Sequence, residues 1–343
     1  MRQLLNTLFV TTPDAFLSRE RENILVYVED EMRLRLPIHN LEGIVTFGYS
    51  GASPALMHLC ASRGVALSFL SPSGRLLAKV ASPVRGNVLL RKKQYELSDD
   101  EEACVGFAKN FILGKVYNCR SVLRRFVRDH SGRVGAGEVG NAADFLSTLI
   151  EKTLSVESLD RLRGLEGEAA RAYYGVFNHL ILEHGDTFQF CGRSRRPPLD
   201  RTNALLSFLY SLLAHDCSAA LEIVGLDPQV GFLHRIRPGR ASLSLDLMEE
   251  LRPYLVDRLT LSLINNRQVE ARDFAFQESG GVLLTDDARK EVISAWQKRK
   301  QQVITHPYLE EKMEIGLIPY AQAMLLARCI RGDIDGYPPF LIR

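Results

Sequence analysis

Leu97-Ser98-Asp99-Asp100-Glu101-Glu102 is the stretch where the chain changes its period. Small capping residues come first and acids follow in the next turn, the order that opens a helix and suits its positive end. Downstream, apolar residues recur at helical spacing. Such stretches are Cys104 to Val127, Asn141 to Lys152, Gly164 to Glu183, Asn203 to Val224, Leu243 to Asn265 and Thr285 to Gln302. Upstream, the pattern is that of strands. Leu4 to Thr12 is apolar and β-prone, as are Ile24 to Val28, Ile44 to Gly48 and Ala66 to Leu70. Met32, Leu34 and Leu36 alternate with Arg33 and Arg35, the period of a half-buried strand. A Ser71-Pro72-Ser73-Gly74 turn then leads into a strand from Arg75 to Val80. One helix interrupts the strands, with Ser53 as cap, Pro54 in the first position and Gly64 as stop.

The fold class expected is therefore α+β. Residues 1–85 form a small β-rich domain, 86–100 a linker, and 101–343 a larger, all-helical domain. With 343 residues, 46% apolar and 24% charged, the chain has enough material for a sizeable core and is not disordered in composition. Forty-three basic and 41 acidic side chains nearly cancel, to a net charge of +2. Any nucleic-acid surface must then come from local clustering. The six cysteines are scattered without CxxC spacing, which argues against a zinc knuckle or disulfide framework and fits reduced thiols in the cytoplasm. Asn6, Thr7, Thr11, Thr12 and Pro13 interrupt the start of the chain where a signal peptide would need an apolar run, and no apolar run is expected to span a bilayer.

Three segments carry candidate chemistry. Glu166 stands near the expected start of a helix, in line with Ala170, Tyr173 and Phe177. A carboxylate on that apolar face is costly unless a cation or strong donors receive it. The plainer reading, a first-turn Glu favoured by the helix dipole, is ahead on spacing alone. Gly167 beside it suggests a close approach to the backbone. His234 lies in Gly231-Phe232-Leu233-His234, followed by Arg235, Arg237 and Arg240 on a Gly/Pro-shaped loop. It is either a loop histidine with one satisfied hydrogen bond or a metal ligand beside a phosphate clamp. Asp246 and Glu249 share a helix face at i, i+3, where like charges repel unless something positive lies between them. The alternative is a solvated acidic face, and Glu250 and Asp257 read that way. Two carboxylates and an imidazole suit Mg2+ or Mn2+, the imidazole tilting toward manganese.

Basic clusters add a phosphate-backbone surface: Arg193, Arg195 and Arg196 in one loop, and Lys298, Arg299 and Lys300 at a helix end. Arg125 and His130 have the loose spacing of some metal-independent ribonucleases. They read more simply as cations near a helix C-terminus.

These segments, in this order, resemble CRISPR-associated protein 1. The residues that carry the likeness are Leu165-Glu166-Gly167, Ala169-Ala170-Arg171, Gly231-Phe232-Leu233-His234, and Ser242 to Pro253 with Asp246 and Glu249. Asn203 to Tyr210 and Tyr337-Pro338-Pro339-Phe340 also match, so the likeness covers almost the whole chain. Leu5 to Ala15 looks most like the I-C subtype. The resemblance implies a metal-dependent DNA endonuclease and integrase of CRISPR adaptation, joining protospacer 3′-hydroxyl ends into the CRISPR repeat. Glu166, His234 and Glu249 would be its catalytic metal ligands, with Asp246 as a supporting carboxylate. It also implies a homodimer built on the N-terminal domain, assembly with CRISPR-associated protein 2, binding of double-stranded DNA, and CRISPR-associated protein 4 as a further partner. Two rival functions stand beside it, a metal-independent ribonuclease using Arg125 and His130, and a non-catalytic DNA-binding scaffold.

Overall fold

A computed structural model describes the chain except for residues 1–6, 13, 42, 49–50, 72–75, 81–87, 183–184 and 343. Most of the turn expected at Ser71 to Gly74 therefore lies outside the described residues. The chain divides into two compact units, one comprising Met1–Gly86 with Leu284–Gln302, the other Asn87–Leu283 with Val303–Arg343.

The first unit runs β1 (Thr7–Val10), β2 (Phe16–Glu20), β3 (Asn23–Val28), β4 (Glu31–Pro37), β5 (Gly43–Phe47), β6 (Gly51–Ala52), α1 (Pro54–Arg63), β7 (Ala66–Leu70) and β8 (Leu76–Val80). Two four-stranded sheets result, ordered β1-β5-β7-β8 and β4-β3-β2-β6. Helix α1 forms as its sequence dictates: Ser53 Oγ accepts from the Leu56 N–H at 3.2 Å, and Gly64 stops it at φ 71°. Leu17, Ile24, Val26, Ile44, Leu56, Leu59, Cys60 and Leu67 form the core of this unit. Strand β4 departs from expectation. Met32 is 54% exposed and Leu34 38%. A bulge breaks the alternation in this edge strand: Leu34 pairs with Val26 but Met32 pairs with Tyr27, so the extra residue Arg33 sends the two apolar side chains to opposite faces.

The second unit begins with α2 (Val88–Ser98), which occupies most of the stretch expected to be a linker. The 98–100 caps serve a helix boundary on both sides: α2 ends at Ser98, and Asp100 accepts from the Glu102 and Ala103 N–H groups to start α3 (Glu101–Asp129). Helices α4 (Ala136–Leu154), α5 (Leu159–Gly175), α6 (Arg201–Val224), α7 (Ser242–Arg252) and α8 (Arg258–Asn265) follow. After them come strands β9 (Phe274–Phe276) and β10 (Val282–Leu284) and helix α9 (Asp286–Lys300). Strands β11 (Val303–Thr305) and β12 (Lys312–Glu314) and helix α10 (Ile318–Arg331) complete the order. Helix α9, expected in the helical domain, clusters with the first unit instead.

The central helix α3 packs along α4, α5 and α7, while α6 packs on α7 and α10. Two expected helices are altered. Helix α5 starts earlier than Gly164 and stops at Gly175, before a 3-10 turn. The span from Leu243 to Asn265 is broken by a π turn at Pro253–Asp257. Pro253 has no N–H to donate into the preceding turn, a common cause of such an irregularity. Against expectation, α6 is long and apolar enough to cross a membrane by length and composition. It is mostly buried within the helical unit. All six cysteines are free thiols, four of them buried, with Cys191 exposed.

Candidate functional site

Helix α3 contributes a residue that sequence reasoning missed. Lys115 is buried, and its ammonium pairs with Glu166 Oε1 and, at 2.7 Å, with Glu249 Oε2. Nothing in the local sequence separates Lys115 from an ordinary surface lysine. Its neighbours Phe111, Ile112, Val116 and Cys119 are core residues, and that amphipathic setting was the one signal available.

Glu166 sits in the middle of α5, not in its first turn, so the dipole explanation for it falls away. Gly167 does not mark a close approach. A Cβ there would meet nothing within 4 Å. The glycine that does allow contact is Gly231, where a Cβ would lie 2.6 Å from Asp246 Oδ2. Without that side chain, the loop can settle on the Asp246 carboxylate. The N–H groups of Phe232 and Leu233 donate to Oδ2 at 2.7 and 3.0 Å, and the His234 N–H donates to Oδ1 at 3.0 Å. His234 Nδ1 is 2.6 Å from the same Oδ1. Arg163 of α5 braces the loop from the other side, donating to the Leu233 carbonyl through Nε and Nη2 at 3.0 and 2.8 Å.

Asp246 is thus fully buried, with both oxygens engaged by the loop it anchors. Glu249, one turn on, faces elsewhere. Its Oε1 is 2.6 Å from Arg252 Nη1 and 3.9 Å from His234 Nε2. Its buried Oε2 lies beside Lys115 without a hydrogen bond of good geometry. Burial pushes the Glu249 carboxyl up, but Arg252 and then Lys115 outweigh it and hold the group at about 2. Lys115 shows the converse: burial disfavours its charge, yet Glu249 and Glu166 raise its pKa.

Glu166 and Glu249 are therefore brought together on Lys115, and His234 approaches Glu249 at its other oxygen. Among the described residues no three His, Cys, Asp or Glu side chains form a ready-made metal cage. The donors nevertheless fit a divalent ion. Two carboxylates converge, one buried oxygen lacks an aligned donor, and the Nδ1 contact to Asp246 leaves His234 Nε2 available. Glu250 and Asp257, read from sequence as a solvated face, are buried instead. Glu250 accepts from Tyr337, from Gln322 Nε2 at 3.0 Å and from the Phe340 N–H at 2.8 Å, and Asp257 accepts from Tyr210. Burial raises Glu250 to about 7 and Asp257 to about 6.

The arginines divide. Arg235 and Arg237 are exposed on the loop after His234, and Arg195 and Arg196 are exposed on theirs. Arg240 is held below its ordinary pKa by partial burial and then by Arg237, with smaller effects from Arg163 and Arg195, so these cations share one region. Arg193 turns inward. It donates to Asn203 Oδ1 at 2.7 Å and to Ser207 Oγ at 3.1 Å, and lies 5.3 Å from the centre of the Tyr210 ring. Lys300, in the other unit, is likewise buried. Arg125 pairs with Asp129 at the exposed end of α3, and the His130 ring lies against Phe126.

A cavity of about 430 Å³ at the C-terminal part of α5 is lined by Ala170, Arg171, Tyr174, Phe190, Cys191 and Arg193, among others, and by none of Glu166, His234 and Glu249. Two carboxylates and an imidazole, with exposed arginines on the loop after His234, can hold a cation and receive a phosphate.

Known proteins share this arrangement of fold and sequence. The family described as CRISPR associated protein Cas1 matches residues 8–298. A protein of Rhodospirillum rubrum named CRISPR-associated endonuclease Cas1 2 is 54% identical over 344 residues, covering 99% of each chain. A chain of a solved Cas6-RT-Cas1--Cas2 complex superposes with TM-score 0.85 at 22% identity, over 99% of this chain and 36% of that one. A casposase bound to integration product gives 0.84 at 22% identity, over 98% and 94%. The two structures share the fold, and the sequence match, spanning the elements that carry Glu166, His234 and Glu249, shows that this chain belongs to the Cas1 family.

Proposed function

We propose that this chain is a divalent-metal-dependent DNA endonuclease and integrase of CRISPR adaptation. One observation carries the reading: Glu166 and Glu249 meet on a buried cation while Asp246 fixes the neighbouring His234 by Nδ1. Glu166, Glu249 and His234 Nε2 would hold Mg2+ or Mn2+. The bound ion supplies charge stabilisation at the phosphoryl oxygens and lowers the pKa of the attacking hydroxyl. Arg252 and Lys115 keep the Glu249 carboxylate ionised, and Asp246 holds the imidazole in a fixed orientation. Arg235, Arg237 and Arg240 bind the phosphates flanking the scissile bond, with Arg195 and Arg196 extending the surface. Water as nucleophile gives cleavage, and a protospacer 3′-hydroxyl gives joining to the CRISPR repeat.

The relatives' names support this assignment, as does the fold shared with a casposase on its integration product. The fold shared with a chain of a Cas1–Cas2 complex supports Cas2 as partner. Dimerisation through the first unit, Cas4 as a further partner, a cytoplasmic setting and the I-C subtype belong to the same proposal. Phe16 and Met32, paired across Tyr27 and both about half exposed, offer an apolar strip for the dimer contact.

The test is a labelled 3′-hydroxyl duplex incubated with a supercoiled repeat-bearing plasmid, with Mn2+ or with a chelator. Manganese-dependent joining is expected. Activity that survives chelation would move the chemistry elsewhere, and binding without cutting or joining under any metal would reduce the protein to a scaffold.

A further inference from the structure

The carboxylates assigned to the metal are already neutralised by the protein. Glu166 and Glu249 carry two negative charges. Lys115 bridges both, and Arg252 takes the second oxygen of Glu249 at 2.6 Å, giving two positive charges. The two cations are held differently. Arg252 is on the same helix as Glu249, three residues on, and its guanidinium also lies 5.1 Å from the centre of the Tyr210 ring. That planar group is fixed by two partners. Lys115 is a point charge on a flexible stem with three donors, paired at its tip with the two carboxylates alone among the described ion pairs.

Resting on the metal-dependent reading above, we propose that Lys115 is an internal competitor of the divalent ion, and that a DNA phosphate is what lets the ion displace it. An ion using Glu166 Oε1 and Glu249 Oε2 needs the oxygens that Lys115 now pairs with. Exchanging the single charge of an ammonium for the two of the ion leaves a neutral, largely buried group with a net positive charge, which is unfavourable unless an anion comes with it. A phosphodiester brings that anion and gives the displaced ammonium a new acceptor. Ion and DNA then bind cooperatively, each tightening the other by the same factor. Lys115 thereby sets when the site becomes loaded, beyond pairing with its carboxylates.

The experiment measures Mn2+ binding to the full chain by the electron paramagnetic resonance of free Mn2+. Wild type and Lys115→Met are compared, with and without a duplex whose 3′ ends are dideoxy-blocked so that no joining follows. Without DNA, Lys115→Met should bind Mn2+ about 10-fold tighter or more, a change of the size that neighbouring groups exert at metal sites. DNA should tighten wild type by a similar factor and the variant by much less. Equal or weaker Mn2+ binding by a folded Lys115→Met overturns the competition while leaving the metal site intact. Absence of Mn2+ binding in every sample removes the metal-dependent reading and this inference together. Should neither Lys115→Met nor Lys115→Gln fold, the wild type decides alone, and a Mn2+ affinity unmoved by DNA overturns the proposal.

Discussion

Glu249 and Glu250 are consecutive, both buried, on the same turn of α7, and their electrostatics are opposite. Glu249 meets cations: Arg252, Lys115 and, further off, His234. Among the described residues, Glu250 meets only neutral donors, from Tyr337, Gln322 and the Phe340 backbone. The first is held at about 2 and the second raised to about 7. Burial alone therefore does not decide whether an acid keeps its charge. The partners do, and one residue along a helix is enough to exchange them. One side of α7 faces the proposed metal site, and the other fastens residues 337–342.

The largest expected effect tests the charged side. Glu249→Gln should lower Mn2+-dependent cleavage and joining by about 10²-fold or more, as loss of a preorganised charge-stabilising group does, with DNA binding kept. Plasmid-integration assays and filter binding measure the two. Asp246→Asn should be milder, about 10–100-fold, because that carboxylate acts through His234 and the loop at 232–234. Extra Mn2+ should restore more of its activity than that of Glu249→Gln. An inactive Asp246→Asn beside an active Glu249→Gln would exchange the two roles.

On the neutral side the readout is stability. The Glu250 pKa is raised on folding, so between its unfolded value of 4.5 and about 7 the native state holds a proton that the unfolded state has released. Its contribution is complete below pH 4.5 and is lost as the pH rises through about 7, on the order of 1–3 kcal/mol. Glu249 has the opposite sign, its contribution being present above pH 4.5 and lost as the pH falls toward 2. Urea titrations from about pH 4.5 to 7.5 should show Glu250→Gln with a flatter profile than wild type. An unchanged profile would break the contrast between the two acids.

The smallest effect separates two glycines. Gly167→Ala should be neutral or stabilising by up to roughly 1 kcal/mol, since a helix prefers Ala and the Cβ meets nothing within 4 Å. Gly114→Ala should lower the melting temperature, because its Cβ would lie 2.7 Å from Glu250 Cβ.

Periodicity was enough to read the change from strands to helices near residue 100, because amphipathic spacing is a local property. It did not reveal that α9 joins the first unit or that α2 replaces a linker, since packing partners are not local. Glu166, His234, Asp246 and Glu249 stood out through short motifs on three segments, whereas Lys115 had no motif. Its role exists only once α3 lies beside α5 and α7. Glu250 and Asp257 were misread for a related reason. An acid in a helix reads as solvated unless its distant donors, Tyr337 or Tyr210, are known.

The clasp around residues 337–342 also bears on how the protein is made. Asn118 donates to the carbonyls of Glu250 at 2.6 Å and Phe340 at 2.7 Å, and accepts from the Ile342 N–H at 2.9 Å. The partners in the last two contacts are 222 and 224 positions away. During synthesis, Asn118 and Glu250 leave the ribosome long before the residues that satisfy them. Until those arrive, α3 and α7 carry polar groups without their native partners, next to Lys115 and Glu249. The helical unit can complete these hydrogen bonds only once Phe340 and Ile342 have been added, and ribosome-bound chains halted before Phe340 should be readily proteolysed across α7.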